Sequence, residues 1–278
     1  VPATVEGLLD LLDLEAIDVD IHRGIAPDST LQRVFGGQVL AQALVAGGRT
    51  VEEARGPHSL HGYFLRPGDP AVPIVYVVER TRDGRSFSTR RVIARQHGRP
   101  IFHMTASFQV SEEGLEHQDP MPAAPHPETL PSLRERMEDR RDGVSPEEWA
   151  ALDVRYAVPE GDGPLDLQVW LRTDGALPDS PLLHAATLAY ASDLTLLASA
   201  AITHRLRMDD PRLVTASIDH AMWFHRPVRV DSWLLHDQES PSASGGRGLG
   251  RGRVFATDGS LVATTVQEGL LRLRQELG

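Results

Sequence analysis

One carboxylate, Asp193, interrupts the most apolar stretch of the chain, the 21 residues from Leu182 to Ile202. Burying a carboxylate is costly unless it is hydrogen-bonded, paired or set beside a wet site. Asp193 is therefore either a structural residue bonded to nearby backbone or a base positioned to take a proton from water. An earlier apolar run, "VFGGQVLAQALVAGGRTV", has Gln38 in the matching place, polar but not basic. A second feature is cationic. Residues 80 to 99 hold seven Arg and one acid, Asp83, which reads either as a solvated strand face or as a surface that grips phosphate through bidentate guanidinium groups. Arg85, Arg90 and Arg91 are its candidates.

Other chemistries are excluded by what is missing. All 28 basic residues are Arg, and there is no Lys, Asn or Cys. A Schiff-base or P-loop lysine, a thiol nucleophile, a disulfide and a cysteine metal site are thereby ruled out. No G-x-S-x-G elbow occurs. The 12 His show no H-E-x-x-H, and in "HSLH" a strand would turn His58 and His61 to opposite faces, so no metal is expected; His58 is kept only as an alternative base. "SGGRGLGRG" lacks the G-x-G-x-x-G spacing and fits strand and turn glycines packed near a helix, so no cofactor is expected either. A net charge of −11 argues against bulk binding of nucleic acid.

These residues sit in a duplicated frame. Sliding the chain by 160 residues pairs Tyr63 with Trp223, Phe64 with Phe224, Arg66 with Arg226 and Pro67 with Pro227, and such a repeat changes how many units are counted. Each copy reads as an apolar helix followed by antiparallel strands, an α+β unit. The spacing predicts a first repeat over 1–115, a Pro-rich and charged connection over 116–165, and a second repeat over 166–278. It also predicts one helix through "SPLLHAATLAYASDLTLLASAAI" and a type I′ hairpin at Asp258-Gly259. Leu182–Ile202 is long enough to raise the question of a membrane span, but a central carboxylate makes it a poor one and a helix enclosed by a sheet explains it better. The acidic start "VPATVEGLLDLLDLEAIDVD" lacks the positive region of a signal peptide. With no Cys, a cytoplasmic location is the expectation.

The stretches "RVFGGQVLAQAL", "HSLHGYFLRPGDP", "YASDLTLL", "SIDHAMWFHRP", "SPSASGGRGLGRG" and "LVATTVQEG" together resemble the bacterial acyl-CoA thioesterase II family, over nearly the whole chain with a weak stretch at 125–165. The resemblance implies a double hotdog: two repeats, each an antiparallel sheet wrapped around a central helix, fused into one long sheet. It implies acyl-CoA as substrate, hydrolysed to free fatty acid and coenzyme A, by a chain that forms a homo-oligomer. It further implies a catalytic Asp193, Ser217 and Gln267 that orient a water on the thioester carbonyl. Ser217 stands where typical members have Thr, keeping the hydroxyl and losing a methyl. A thioester is already activated, so a positioned water and a carboxylate suffice without metal or covalent nucleophile. On this reading the Arg-rich strands would hold coenzyme A phosphates. Two rivals remain: a hotdog enoyl-CoA hydratase, which would carry an Asp and His pair on a helix, and a non-catalytic acyl-CoA-binding protein.

Overall fold

A computed structural model describes residues 2–27, 29–138, 149–157 and 167–274. Parts of the expected connection, 139–148 and 158–165, lie outside the described residues. The chain opens with α1 (Val5–Leu12), where Thr4 Oγ1 accepts from the Gly7 N–H at 3.1 Å and so satisfies one free donor of the first turn. Then come β1 (Glu15–Asp18), β2 (Ile21–Gly24), α2 (Gly36–Gly48), β3 (Arg55–Phe64), β4 (Ile74–Asp83), β5 (Phe87–Gln96) and β6 (Arg99–Val110). The remainder holds α3 (Leu133–Glu138), β7 (Leu152–Ala157), β8 (Leu167–Thr173), α4 (Pro181–Ser192), α5 (Ala198–Thr203), β9 (Leu213–Ser217), β10 (Asp219–Phe224), β11 (Leu234–Ser244), β12 (Arg247–Ala256) and β13 (Leu261–Leu273).

All the strands join one antiparallel sheet, in the order β1-β2-β4-β5-β6-β3-β10-β13-β12-β11-β8-β7, with β9 added beside β13. The repeat is visible in its register. Val78 faces Val92 across β4 and β5, and Gln238 faces Gly252 across β11 and β12, the same pairing 160 residues later. The halves meet where β3 pairs with β10, Leu60 opposite Met222, so the repeated pairs Tyr63-Phe64 and Trp223-Phe224 lie on the two strands of the seam. Helices α2 and α4 pack against each other on the concave face of the sheet. Every α2 residue from Gly37 to Gly47 is buried, because a helix with a sheet around it has no solvent side. This is the double-hotdog arrangement. No helix among the described residues is long and apolar enough to cross a membrane.

Two local expectations are corrected. The second apolar run is not one helix. α4 stops at Ser192, and residues 193–197 form tight turns closed by bonds three residues back, such as Leu194 N–H to Ala191 O at 3.1 Å and Ala198 N–H to Thr195 O at 2.9 Å. Neither Pro nor Gly breaks this helix; tertiary contacts do. Gln238 of β11 donates to Thr195 Oγ1 at 2.8 Å, and a Cβ on Gly250 of β12 would stand 2.6 Å from Leu196 O. The run lies flat on the sheet because β12 presents glycine there. The second correction concerns Asp258-Gly259, where only Gly259 has positive φ (87°), so it is not type I′. Pairs with both φ positive occur at His97-Gly98 (48° and 72°) and Gly245-Gly246 (58° and 74°), as that turn requires.

Candidate active site

Breaking the helix at Ser192 makes Asp193 its C-terminal cap and turns the carboxylate sideways, toward the other half. Its side chain is 4% exposed. Oδ1 receives Gln267 Nε2 at 2.5 Å and Ser217 Oγ at 3.5 Å, and Gln267 Nε2 also donates to Ser217 Oγ at 3.0 Å. The sheet brings the two together: Ser217 ends β9 opposite Gly269, and Gln267 lies two residues earlier on the same β13, opposite Gly250. The three residues picked out in the sequence therefore share one carboxylate oxygen.

Oδ2 faces elsewhere. It lies 2.6 Å from where a Cβ on Gly36 would stand, so only a glycine at the start of α2 allows the approach. Phe35, the N-cap of α2, makes no side-chain capping bond. The first N–H groups of α2 thus point their partial positive charge at this corner. Gln38 lies in this first turn of α2, whereas Asp193 caps the far end of α4. They are not matching positions; by count from the helix start, the counterpart of Asp193 is near the α2 C-cap, Arg49.

A cavity of about 470 Å³ opens beside the carboxylate, walled by Phe35, Val39, Phe64, Leu194, Leu197 and Met208. Its wall belongs to both halves. Ser217 and Asp193 also line it, while Gln267 is fully buried behind them. Exposed Arg33 and Arg66 stand on its rim, their guanidinium groups on the carbonyls of Thr215 (3.0 Å) and Pro100 (2.7 Å). Deeper in, Tyr190 meets Phe35 edge-on at 5.1 Å. Burial first, and then the charge of Asp193, hold its phenol well above the ordinary value, so it stays neutral.

The Arg-rich candidates are not at this cavity. Arg90 is 1% exposed; its guanidinium donates to Thr50 Oγ1 (2.7 Å), Thr50 O (3.1 Å), Arg82 O (3.0 Å), Thr89 O (3.0 Å) and Asp83 Oδ1 (2.7 Å). It has no donor to spare for a phosphate. The hydrogen bond from Arg90 holds Asp83 below the usual carboxylate range. Arg91 points to the opposite, exposed face of β5, 3.8 Å from Glu79, and Arg85 is exposed at the β4–β5 turn. Strand parity carried the signal for Arg90, which shares the buried face of β5 with Val92 and Ala94. His58 is also away from the cavity, on Ser107 Oγ at 2.8 Å, with its pKa lowered by burial.

Sequence reasoning missed His220. It comes from β10, not from the helix, and puts Nδ1 3.7 Å from Asp193 Oδ1 with no exposed surface. Among the described residues no group of three His, Cys, Asp or Glu is placed to hold a metal.

Comparison with known proteins follows this geometry. Residues 147–270 match the family described as acyl-CoA thioesterase, and residues 25–109 match its N-terminal domain. The chain is 40% identical to acyl-CoA thioesterase 2 of Haemophilus influenzae, over 98% of this chain and 99% of that one. It is 40% identical to human acyl-coenzyme A thioesterase 8, over 96% and 89%. Among solved structures it superposes on acyl-CoA thioesterase II TesB2 of Mycobacterium marinum with a TM-score of 0.82 and 48% identity, over 98% and 99% of the two chains.

Proposed function

Since the chain belongs to the acyl-CoA thioesterase II family and is a thioester hydrolase acting on acyl-CoA, we propose that Asp193 Oδ2 is the base that activates the attacking water. The carrying observation is the division of labour on this carboxylate: Oδ1 is held by Gln267 and Ser217, while Oδ2 is turned toward the start of α2. The water attacks the thioester carbon as its proton passes to Oδ2. Negative charge then grows on the carbonyl oxygen, and the first N–H groups of α2 stabilise it. Collapse breaks the C–S bond, and the proton on Asp193 goes to the departing thiolate, which gives free acid, coenzyme A and the original carboxylate. The apolar wall takes the acyl chain. Arg33 and Arg66, at the rim, take the phosphates in place of the Arg85, Arg90 and Arg91 surface.

His220 and Asp193 form an acid and imidazole pair, the combination expected of a hydratase. The imidazole is fully buried behind the carboxylate and does not line the cavity, so it has no access to an enoyl group. Thiol release from a panel of acyl-CoAs tests the reading. The protein should release free thiol, and Asp193→Asn, which keeps shape and loses basicity, should lower kcat on the order of 10²-fold or more with substrate binding retained. Near-normal turnover in that variant would sink the assignment.

A further inference from the structure

We propose that His220 is a positioning residue for the hydrolysis, holding the Asp193 carboxylate in register through an Nδ1–H that faces Oδ1; this rests on Asp193 being the base. Three observations carry it. His220 has no exposed surface, and its Nδ1 is a buried nitrogen with no hydrogen-bond partner. That nitrogen lies 3.7 Å from Asp193 Oδ1, beyond hydrogen-bond length and close enough for a strong electrostatic contact between two buried groups. The other nitrogen, Nε2, is 2.9 Å from Ser192 Oγ, and Ser192 directly precedes Asp193. The imidazole thus touches both the carboxylate and the residue that anchors its backbone.

Ser192 decides the tautomer. Its one hydroxyl proton has two strong acceptors in reach, Ala189 O at 2.9 Å and His220 Nε2 at 2.9 Å, and a weak one in Met222 Sδ at 3.5 Å. If it goes to Ala189, Nε2 must carry the imidazole proton, and Nδ1 presents a lone pair to a carboxylate with nothing between them. If it goes to Nε2, Nδ1 carries the proton and aims an N–H dipole at Oδ1. Burying a lone pair against a negative charge costs more than leaving a helix carbonyl with one partner fewer. The hydrogen bond at one ring nitrogen sets the state of the other, so Ser192 keeps Nδ1 protonated. Oδ1 is then held by Gln267 from β13, Ser217 from β9 and His220 from β10, and Oδ2 is fixed toward the water.

Side-chain amides separate this role from plain packing. In His220→Asn the amide nitrogen takes the place of Nδ1, and in His220→Gln that of Nε2. With Asp193 present, His220→Gln should lose about tenfold or more in kcat with KM within about twofold, and His220→Asn should recover most of it. In the Asp193→Asn background the Gln and Asn variants should be equally slow, since residues acting through one carboxylate are not additive. The ring nitrogens' ¹⁵N shifts, assigned by the signal that His220→Asn removes, should report a protonated Nδ1. Equal kcat for the Asn and Gln variants, or a protonated Nε2 in the native protein, would overturn the proposal. Failure of the base assignment would show differently, as turnover surviving in Asp193→Asn itself.

Discussion

At position 90 the first half carries an arginine whose guanidinium is consumed by Thr50, Asp83 and two carbonyls; 160 residues on, the second half carries Gly250, over which the backbone of Leu196 lies. The strands pair alike around both. One half fills the space between sheet and helix with a side chain and keeps α2 unbroken. The other leaves it empty, lets the end of α4 collapse onto β12, and so turns Asp193 out of its helix. The remaining site positions differ in the same direction. Ser217 corresponds by the same offset to Pro57, and Gln267, which faces Gly250, corresponds by strand pairing to Ala106, which faces Arg90. The duplicated frame thus keeps an unbroken helix in one half and, in the other, a break that presents the carboxylate proposed as the base.

The sharpest way to break that contrast is through Gly36, the first-half glycine that meets the Asp193 carboxylate. Gly36→Ala puts a methyl where Asp193 Oδ2 lies and should cut kcat by roughly 10²-fold with the fold intact, since small displacements of a catalytic group are costly; unchanged kinetics would place the water elsewhere. Next is Ser217. Ser217→Ala should slow turnover about tenfold, as expected when the partners of a lost hydroxyl stay unpaired, and Ser217→Thr should retain most of it. At the rim, Arg33→Ala with Arg66→Ala should raise KM several-fold and flatten its salt dependence at constant kcat, while Arg85→Ala with Arg91→Ala should leave KM unchanged. Finally, Arg90→Met should leave kcat per folded molecule untouched and lower stability by about 2–3 kcal/mol in a denaturant titration. A KM effect there would contradict the structural role of the first half.

Much of this was legible in the sequence, and what was not has definite causes. The repeat, the strand runs and the oddity of Asp193 depend on local pattern, which survives in one dimension. The helix break did not show, because "SDLTLL" is a good helix sequence and the force that ends it comes from glycines over 50 residues later. Charge density in 80–99 misled about Arg90: composition counts an arginine as surface, whereas only the parity of the strand says which face it joins. His220 was invisible as a neighbour of Asp193 because a search within one helical turn cannot find a residue on a strand. Arg33 and Arg66 were unremarkable as isolated cations and became meaningful only when the fold set them around one opening.

The glycines of β12 also bear on how the protein can change over generations. Gly248, Gly250 and Gly252 face the interior in succession, and a Cβ on them would run into Ala200, the Leu196 carbonyl and His236 respectively. Every single-base change that replaces a glycine yields either a stop or a residue with a Cβ, so no one-step substitution at these positions fits. The inward positions of β5 instead hold side chains, Ser88, Arg90 and Val92, all of them buried. The strand on which residues 193–197 lie is therefore held in its course by the absence of side chains.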